Sequence, residues 1–237
     1  NFDVGDDAIC IKSGKNDDGR RRGIPTENVI IRNNIVYHGH GGFTIGSEMS
    51  GGVRNLHISG CTFVGTDIGL RFKSTRGRGG IVENIYISNI DMINIPAEAI
   101  SFNMFYEGKS PIPEGPAETV GSVIVKEDLL PVTEETPVFR NIYMNRITVV
   151  NSEVAAVFQG LPELRLLNVT LENSIFEARK GITMADSEGI IFKNVKLKNE
   201  TGAGITVFNS KKIVFDGLDM TRSHEQDPVR ILGNSTE

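Results

Sequence analysis

Two acidic residues stand side by side near the start of the chain, and they open a set of residues that could carry out acid–base chemistry. Asp6 and Asp7 precede a short apolar run of β type, and His40 follows about one structural repeat later. Arg71 and Lys73 come one repeat after that. Because neighbouring carboxylates disfavour joint ionisation, one could hold a proton while the other stays charged. The set predicts a site that cleaves an anionic polymer, with one acid donating a proton and the other activating water.

A nine-residue pattern recurs along the chain and supplies the frame for this site. Its apolar residues alternate, which is the periodicity of β-strands. Seven copies lie at 28–36, 55–63, 84–92, 141–149, 168–176, 189–197 and 212–220. A second group of short strands falls between the copies, for example at 43–45 and 70–72. Several short strands in each period of about 20 to 30 residues predict an all-β protein, a right-handed single-stranded parallel β-helix. A β-sandwich also has many short strands, but they would not share a motif at a steady period.

Asparagine or glycine often stands at the first and sixth positions of the repeat. Both residues tolerate a positive φ and suit the corners between short strands. Asn33, Asn89 and Asn173 share the sixth position. We expect them to form an inward-facing ladder that satisfies the backbone of the turns.

The repeat runs through most of the chain, so we expect residues 1–237 to form a single β-helix domain. A proline-rich stretch at 107–137 interrupts the pattern and is predicted to be an inserted loop on one face of a coil. The sequence opens in the middle of a coil rather than at a capped end. We therefore expect additional N-terminal coils to be missing from it.

Composition narrows the range of partners. The formal net charge is −5, so affinity for an anionic polysaccharide must come from a local basic cleft. No basic face with interleaved aromatic residues points to nucleic acid. No apolar run approaches the roughly 20 residues that a membrane-spanning helix needs.

The two cysteines, Cys10 and Cys61, both stand at strand positions that we expect to face inward. Two buried free thiols are the expected state, with a disulfide as the alternative. Without a Cys-x-x-Cys pair they cannot make a structural zinc site alone.

Stacking the coils predicts which side chains meet. Equivalent positions of three consecutive coils hold Lys12, Gly46 and Lys73, and six residues earlier they hold Asp6, His40 and Asp67. Since adjacent coils lie about 4.8 Å apart, we expect Asp6 within hydrogen-bond reach of the His40 side chain. Asp67 would orient the imidazole or a sugar hydroxyl, or would simply be a surface residue. Arg71 and Lys73, two residues apart, share a face and would bind the carboxylates of a uronic acid.

These residues resemble the signature of the polygalacturonases, glycoside hydrolase family 28. The matching motifs are Gly-Asp-Asp followed by Ala-Ile at 5–9, Gly-His-Gly at 39–41, and Arg-Phe-Lys at 71–73, where the family usually has Arg-Ile-Lys. Tyr106 matches a tyrosine that contacts substrate in the family. The resemblance covers the chain closely from residue 1 to about residue 110 and is only repeat-level beyond it.

The resemblance implies an inverting hydrolase that needs neither metal nor cofactor and cleaves α-1,4-galacturonosidic bonds in pectin or polygalacturonate. Asp6 would be the general acid, Asp7 one of two residues that activate water, and His40 the group that tunes the acid. The third aspartate belongs to an Asn-Thr-Asp motif one coil upstream, and this sequence has no such motif. The site is therefore expected to be incomplete in this chain. A substrate of this kind implies a secreted or periplasmic protein.

The charged segment 12–22 lengthens the coil after the acid pair. It resembles an insertion of exo-acting family members that closes one end of the cleft, and Lys12 and Arg20 would then contact substrate. The alternative is a solvated charged loop. Three other functions stay open: a rhamnogalacturonan hydrolase, a calcium-dependent pectate lyase, and a non-catalytic carbohydrate-binding β-helix. The oligomeric state does not follow from the sequence.

Overall fold

The structure, a computed structural model, describes residues 1–106, 108, 129–222 and 228–233. Within these residues the chain forms thirteen strands and one short helix, α1 (Asn16–Arg22). The strands are β1 (Phe2–Asp3), β2 (Ile9–Ile11), β3 (Thr26–Arg32), β4 (Ile35–Tyr37), β5 (Gly41–Gly46), β6 (Val53–Val64), β7 (Ile68–Lys73), β8 (Ile81–Asn103), β9 (Val138–Gln159), β10 (Leu166–Ala185), β11 (Ser187–Phe208), β12 (Val214–Arg222) and β13 (Val229–Leu232).

Each strand pairs with the strand at the same place in the next coil. Along one face the order is β1-β4-β6-β8-β9-β10-β11-β12, and along another β2 pairs with β5, β5 with β7, and β7 with β8. The described pairs in both runs are parallel. Stacked coils with parallel pairing confirm the predicted parallel β-helix.

The backbone register matches the repeat that was read from the sequence. Leu56 lies opposite Val29 in one neighbouring coil and Ile85 in the other, and Ile85 lies opposite Ile142. The last pairing joins copies 57 residues apart, so the insertion leaves the stacking of the coils intact. Leu56, Ile85 and Ile142 are completely buried. Aliphatic side chains repeated at one position therefore form a continuous row through the core.

A second row of the core is aromatic. Phe72 of β7 stacks face to face on Phe102 of β8, with ring centroids 4.2 Å apart, and Phe102 continues to Phe158 of β9 at 5.4 Å. Phe43 of β5 meets Phe72 edge to face at 6.3 Å. Phe72 belongs to β7, the strand that carries Arg71 and Lys73, and its ring points to the core side of that strand. Tightly packed aromatic side chains therefore support the candidate site from the core.

The expected asparagine ladder exists, but its place and direction differ from the prediction. The longest run lies at the first position of the repeat, where each amide after the first donates to the asparagine of the preceding coil. It comprises Asn28, Asn55, Asn84, Asn141 and Asn168. All five have a positive φ. Their side chains are half-buried or exposed and do not enter the core. A corner residue can keep its amide in contact with solvent while the next coil supplies a partner, so inward burial is unnecessary.

The charged segment 12–22 contains a helix where the sequence pattern predicted a loop. Asp17 and Asp18 lie in the first turn of α1 and the arginines in its last turn, an order that suits the helix dipole. Gly23 ends the helix in the left-handed conformation. Gly19 is buried so tightly that an added Cβ would lie 2.6 Å from the Gly14 carbonyl carbon. Charge order and the glycine at its C-terminal end, rather than apolar periodicity, therefore favour this helix, whereas Gly19 is required by the close packing against Gly14.

Most of the predicted insertion at 107–137 lies outside the described residues. Its described end, 129–137, leads into β9, and the carbonyl oxygen of Glu135 accepts backbone hydrogen bonds from Gly77 and Gly79 at 3.0 and 2.8 Å. The part of the chain that the structure describes contains no helix with the length and apolar character needed to cross a membrane.

Candidate active site

The starts of three parallel strands hold the site together. The amide of His40, ahead of β5, donates to the carbonyl oxygen of Asp6, ahead of β2, at 3.1 Å. The amide of Ile68, at the start of β7, donates in turn to the carbonyl oxygen of His40 at 3.2 Å. This ladder confirms the register that stacked Asp6, His40 and Asp67 in consecutive coils.

Asp7 is shared between two cations of β7. Its Oδ2 accepts a hydrogen bond from Lys73 Nζ at 2.8 Å, and its Oδ1 accepts one from Arg71 Nη1 at 3.0 Å. The side chains of Asp7 and Lys73 are each 7% exposed and that of Arg71 is 19% exposed. The predicted common face of Arg71 and Lys73 is confirmed, and in this structure both of them contact Asp7.

The protonation state of Asp7 follows from these contacts. Burial by itself would raise the pKa of the Asp7 carboxyl, but the hydrogen bonds and charges of Lys73 and Arg71 outweigh it and lower that pKa below its ordinary value of 3.8. Asp7 is therefore an anion at neutral pH. The cluster of one carboxylate and two cations therefore carries one net positive charge.

The ring of Tyr106 packs against both cations of this cluster. Its ring centroid lies 4.7 Å from Lys73 Nζ and 5.7 Å from Arg71 Cζ, which is the range of cation–π contact. The amide of Tyr106 donates to the carbonyl oxygen of Ser74 at 3.0 Å, just beyond the end of β7. The tyrosine that the sequence singled out is thus placed directly against the predicted cations.

A second ion pair fastens the segment that leads to Tyr106. Arg76 binds Glu163 through two hydrogen bonds of 2.6 and 2.8 Å and lies 5.1 Å from the ring centroid of Phe105. Glu163 is almost fully buried. Neither residue was predicted from the sequence; the available signal was the run of arginines and glycines at 76–80, two residues after the Arg-Phe-Lys motif.

Asp6 and His40 are brought together by the backbone, but the imidazole bonds elsewhere. His40 Nδ1 lies 2.5 Å from Asp67 Oδ2, and Asp6 Oδ1 accepts a hydrogen bond from the amide of Asp7 at 2.7 Å. The expected contact of the His40 ring with Asp6 is therefore replaced, at Nδ1, by the carboxylate of the coil on the other side. A residue in the middle coil has neighbours on two sides, and alignment alone does not decide between them.

Lys12 and Arg20, the other two predicted substrate contacts, both have partners within the protein. Lys12 forms an ion pair with Glu48. Arg20 donates to the carbonyl oxygens of Gly77 and Arg78 at 2.7 and 3.1 Å and contacts Glu135 at 3.2 Å. Arg20 therefore ties α1 to the loop after β7.

Cys10 does not face inward, so that prediction was wrong. Cys10 pairs with Thr44, which pairs in turn with Arg71. Strand alternation therefore places Cys10 on the same face as Lys12 and Arg71, and Ile9 and Ile11 on the opposite face. Burial raises the pKa of the half-buried Cys10 thiol. Cys61 is buried as expected, and both thiols are free. Among the residues that the structure describes, no group of three or more His, Cys, Asp or Glu side chains could hold a metal ion.

The structure is a parallel β-helix with a groove that holds paired carboxylates, an imidazole and two cations. The chain belongs to glycosyl hydrolases family 28, whose family model matches residues 1–145. The resemblance inferred from the motifs is thereby confirmed.

Individual relatives agree with this assignment. A polygalacturonase of Ralstonia solanacearum is 37% identical over 109 residues, which is 44% of this chain and 19% of that protein. An endo-polygalacturonase of Pectobacterium carotovorum subsp. carotovorum is 38% identical over 109 residues, 46% of this chain and 25% of that protein. The crystal structure of an exopolygalacturonase from Thermotoga maritima superimposes with a TM-score of 0.62 at 26% identity, over 91% of this chain and 40% of that one. The matched part of this chain thus spans a quarter or less of these two curated relatives.

Proposed function

We propose that this chain carries the acid–base groove of a polygalacturonase, which hydrolyses α-1,4-galacturonosidic bonds in pectin or polygalacturonate. The observation that carries the proposal is the anionic Asp7, fixed between Lys73 and Arg71 beside the exposed Asp6. Glycoside hydrolysis needs one carboxyl group that gives a proton and one carboxylate that activates water. A groove with one permanently charged carboxylate and a second acid beside it meets that need.

The two carboxyl groups take different roles because their surroundings differ. Asp7, held ionised by two cations, does not carry a proton at neutral pH, so the role of general acid falls to Asp6. Asp7 would activate water together with a further carboxylate, and His40, next to Asp6 in the ladder, would tune the acid. Attack by an activated water without a covalent intermediate inverts the configuration at the anomeric carbon.

Charge supports a uronic acid as the substrate. The positive charge that remains in the Asp7, Lys73 and Arg71 cluster would attract the carboxylate of galacturonic acid, while the net charge of the whole chain is −5. The Tyr106 ring, which lies against both cations, would give the sugar an apolar surface. An enzyme with this substrate would act outside the cytoplasm, as a secreted or periplasmic protein.

An exo-acting mode is supported by how firmly α1 is held beside the groove. Asn16 accepts a hydrogen bond from the buried Arg78 at 2.5 Å, and Arg20 binds the loop after β7 from the same helix. A helix held in place by both of these contacts would block one end of the groove, so that only a terminal sugar could enter. Arg20 would then contribute by holding α1 in place, and both Lys12 and Arg20 would contribute positive charge near the bound substrate.

The test is hydrolysis of polygalacturonic acid by the natural protein that contains this chain. We expect reducing ends to appear, galacturonic acid monomer as the first product, and the β-anomer of that product in NMR spectra taken early in the reaction. Asp6→Asn and Asp7→Asn should each lower kcat by about 100-fold or more. Asp17→Asn, which changes an exposed carboxylate of α1, is the matched control and should leave kcat unchanged.

Other products would assign other functions. A ladder of oligomers would contradict the exo mode and leave hydrolysis intact. An unsaturated product that absorbs in the ultraviolet would mean a lyase, and cleavage of rhamnogalacturonan in preference to polygalacturonate would change the substrate. Binding of the polymer without any turnover would overturn the enzymatic proposal in favour of a carbohydrate-binding β-helix.

A further inference from the structure

His40 and Asp67 form a side-chain pair that the fold itself does not require. Their backbones are opposite one another in adjacent coils, and Nδ1 and Oδ2 lie 2.5 Å apart. The side chains are 56% and 53% exposed, so water could satisfy either group. Exposed pairs of this kind contribute little to stability. A short, well-placed bond with little structural value, beside the acid pair, points to a role in the chemistry.

The bond decides which nitrogen of the ring carries a proton. A carboxylate oxygen only accepts hydrogen bonds, so Nδ1 of His40 must be the donor. Nε2 is then left as the nitrogen that can meet Asp6 or the substrate, with the ring held in one orientation. In water a neutral imidazole prefers its proton on Nε2, so Asp67 reverses the intrinsic preference.

We propose that Asp67 is a positioning residue that holds His40 with its proton on Nδ1, leaving Nε2 to act on the Asp6 side of the groove. This inference rests on the proposed function, because it gives His40 its working form. The amide of His40 already donates to the carbonyl oxygen of Asp6, so the imidazole belongs to a coil fixed against Asp6 on one side and Asp67 on the other. Asp67 acts only through His40 and does not itself touch the reacting atoms.

The chain contains an internal comparison for this pair. His38, two residues earlier, lies with its Nδ1 3.2 Å from Asp3 Oδ1, and these side chains are 73% and 71% exposed. The His38 pair reaches back to the previous coil and is longer and more exposed. Asp3→Ala therefore removes a histidine-bound carboxylate of the same type at a place that should not matter for Asp6.

The first test needs no turnover. Nitrogen-15 NMR of the 237-residue protein, with the His40 signal assigned through His40→Gln, reports which ring nitrogen is protonated. We expect the Nδ1–H tautomer in the wild type and in Asp67→Asn, whose amide oxygen still accepts, and the Nε2–H tautomer in Asp67→Ala. Asp3→Ala should leave the His40 signal unchanged. An Nε2–H tautomer in the wild type, or no change in Asp67→Ala, would overturn the proposal.

The second test measures the effect on catalysis in the natural protein. We expect Asp67→Ala to lower kcat by about tenfold or more with little change in KM, and Asp67→Asn to recover most of that loss. In a His40→Ala background, Asp67→Ala should cause no further loss. A further loss there would show that Asp67 acts independently of His40 and would refute the positioning role. Absence of all activity would instead count against the proposed function, and the NMR result would still decide the tautomer.

Discussion

Asp7 joins the two cations of the groove and should therefore control its electrostatic stability. It is the only anion that the structure places in contact with Lys73 and Arg71 among the described side-chain hydrogen bonds. Removing one member of a buried ion pair leaves an uncompensated charge, which is more costly than losing the pair as a whole. The members of the cluster should therefore differ in how much their loss destabilises the protein.

We expect Asp7→Asn to lower the free energy of unfolding by about 3 kcal/mol or more, because two cations lose their partner. Lys73→Met should cost less, since Arg71 still binds the carboxylate. The double variant should lose less than the sum of the two changes. Urea denaturation at neutral pH measures all three values. Equal and additive losses would show that the cluster is not electrostatically coupled.

Gly41 is a second residue whose size, rather than its backbone freedom, shapes the site. A Cβ at this position would lie 2.2 Å from Thr44 Oγ1 and 2.7 Å from Asp7 Oδ1. Gly41→Ala must therefore push Asp7 away from its cations, and we expect a loss of about 1–3 kcal/mol of stability together with lower activity. Thermal unfolding and the hydrolysis assay measure the two effects.

The control for this substitution is close by. Nothing lies within 4 Å of a Cβ added to Gly5, so Gly5→Ala should have little effect although it is next to Asp6. The hydroxyl of Thr44 is buried and has no hydrogen-bond partner. Adding Thr44→Ala to Gly41→Ala should consequently restore part of the stability. If that pair were no better than Gly41→Ala alone, crowding against Thr44 would not be the cause.

At the scale of the elements, the corners of the coils combine a backbone requirement with a side-chain ladder. Asn141 has φ of 55°, donates to Asn84 at 3.5 Å and accepts from Asn168 at 3.1 Å. Glycine would keep the positive φ and lose the amide, whereas alanine would lose both. We expect Asn141→Ala to be less stable than Asn141→Gly by about 1 kcal/mol in urea denaturation.

Asn145 provides the reverse case within the same strand. It accepts a ladder hydrogen bond from Asn173 at 3.1 Å, but its φ is not positive. Glycine in an ordinary strand conformation costs entropy, so Asn145→Gly should be less stable than Asn145→Ala. If the alanine and glycine variants had the same order of stability at Asn141 and at Asn145, the positive φ of the corner would not be the reason for asparagine at Asn141.

At the scale of the whole molecule, ion pairs between adjacent coils run along the surface of the β-helix. Arg54 binds Glu27, Arg140 binds Glu83, and Arg179 binds Glu153 in the next coil. Hydrogen bonding from Arg179, with a further contribution from Lys180, lowers the pKa of Glu153 from 4.5 to about 2 against the opposing effect of burial. At Glu163, burial by itself would raise the pKa of the carboxyl, but the hydrogen bonds and charge of Arg76 outweigh it. The pKa of Glu163 is therefore also lowered.

These lowered pKa values predict the response to acid. A carboxyl group whose pKa is lower in the folded state stabilises the protein above its unfolded pKa, and that contribution is lost as the pH falls through the folded value. Stability should therefore fall between about pH 4.5 and pH 2. Glu153→Gln should flatten this part of the curve. Arg179→Gln, which leaves Glu153 only its ion pair with Lys180 at 3.3 Å, should flatten it less over the same window. Urea denaturation across that range is the measurement, and curves that remain parallel would contradict it.

The sequence by itself determined the architecture of this protein and the residues of its groove. Each coil must repeat its inward residues to continue the rows of the core, so the nine-residue pattern carried the register of the strands, including the step of 57 residues. That register was enough to bring Asp6, His40 and Asp67 into consecutive coils and Arg71 and Lys73 onto one face. Even the departure from the family motif, Phe72, is explained locally by its stacking on Phe102.

Only the tertiary structure decided which partner each side chain takes. Lys73 and Arg71 form hydrogen bonds with Asp7 and do not extend freely into the groove. His40 bonds to Asp67, and Arg20 bonds to the loop after β7. A position in a stacked coil has a neighbour on each side and a range of rotamers, so alignment fixes where a residue stands but not the direction of its bonds. Those directions follow from burial, charge and hydrogen-bond geometry, which exist only once the coils are stacked.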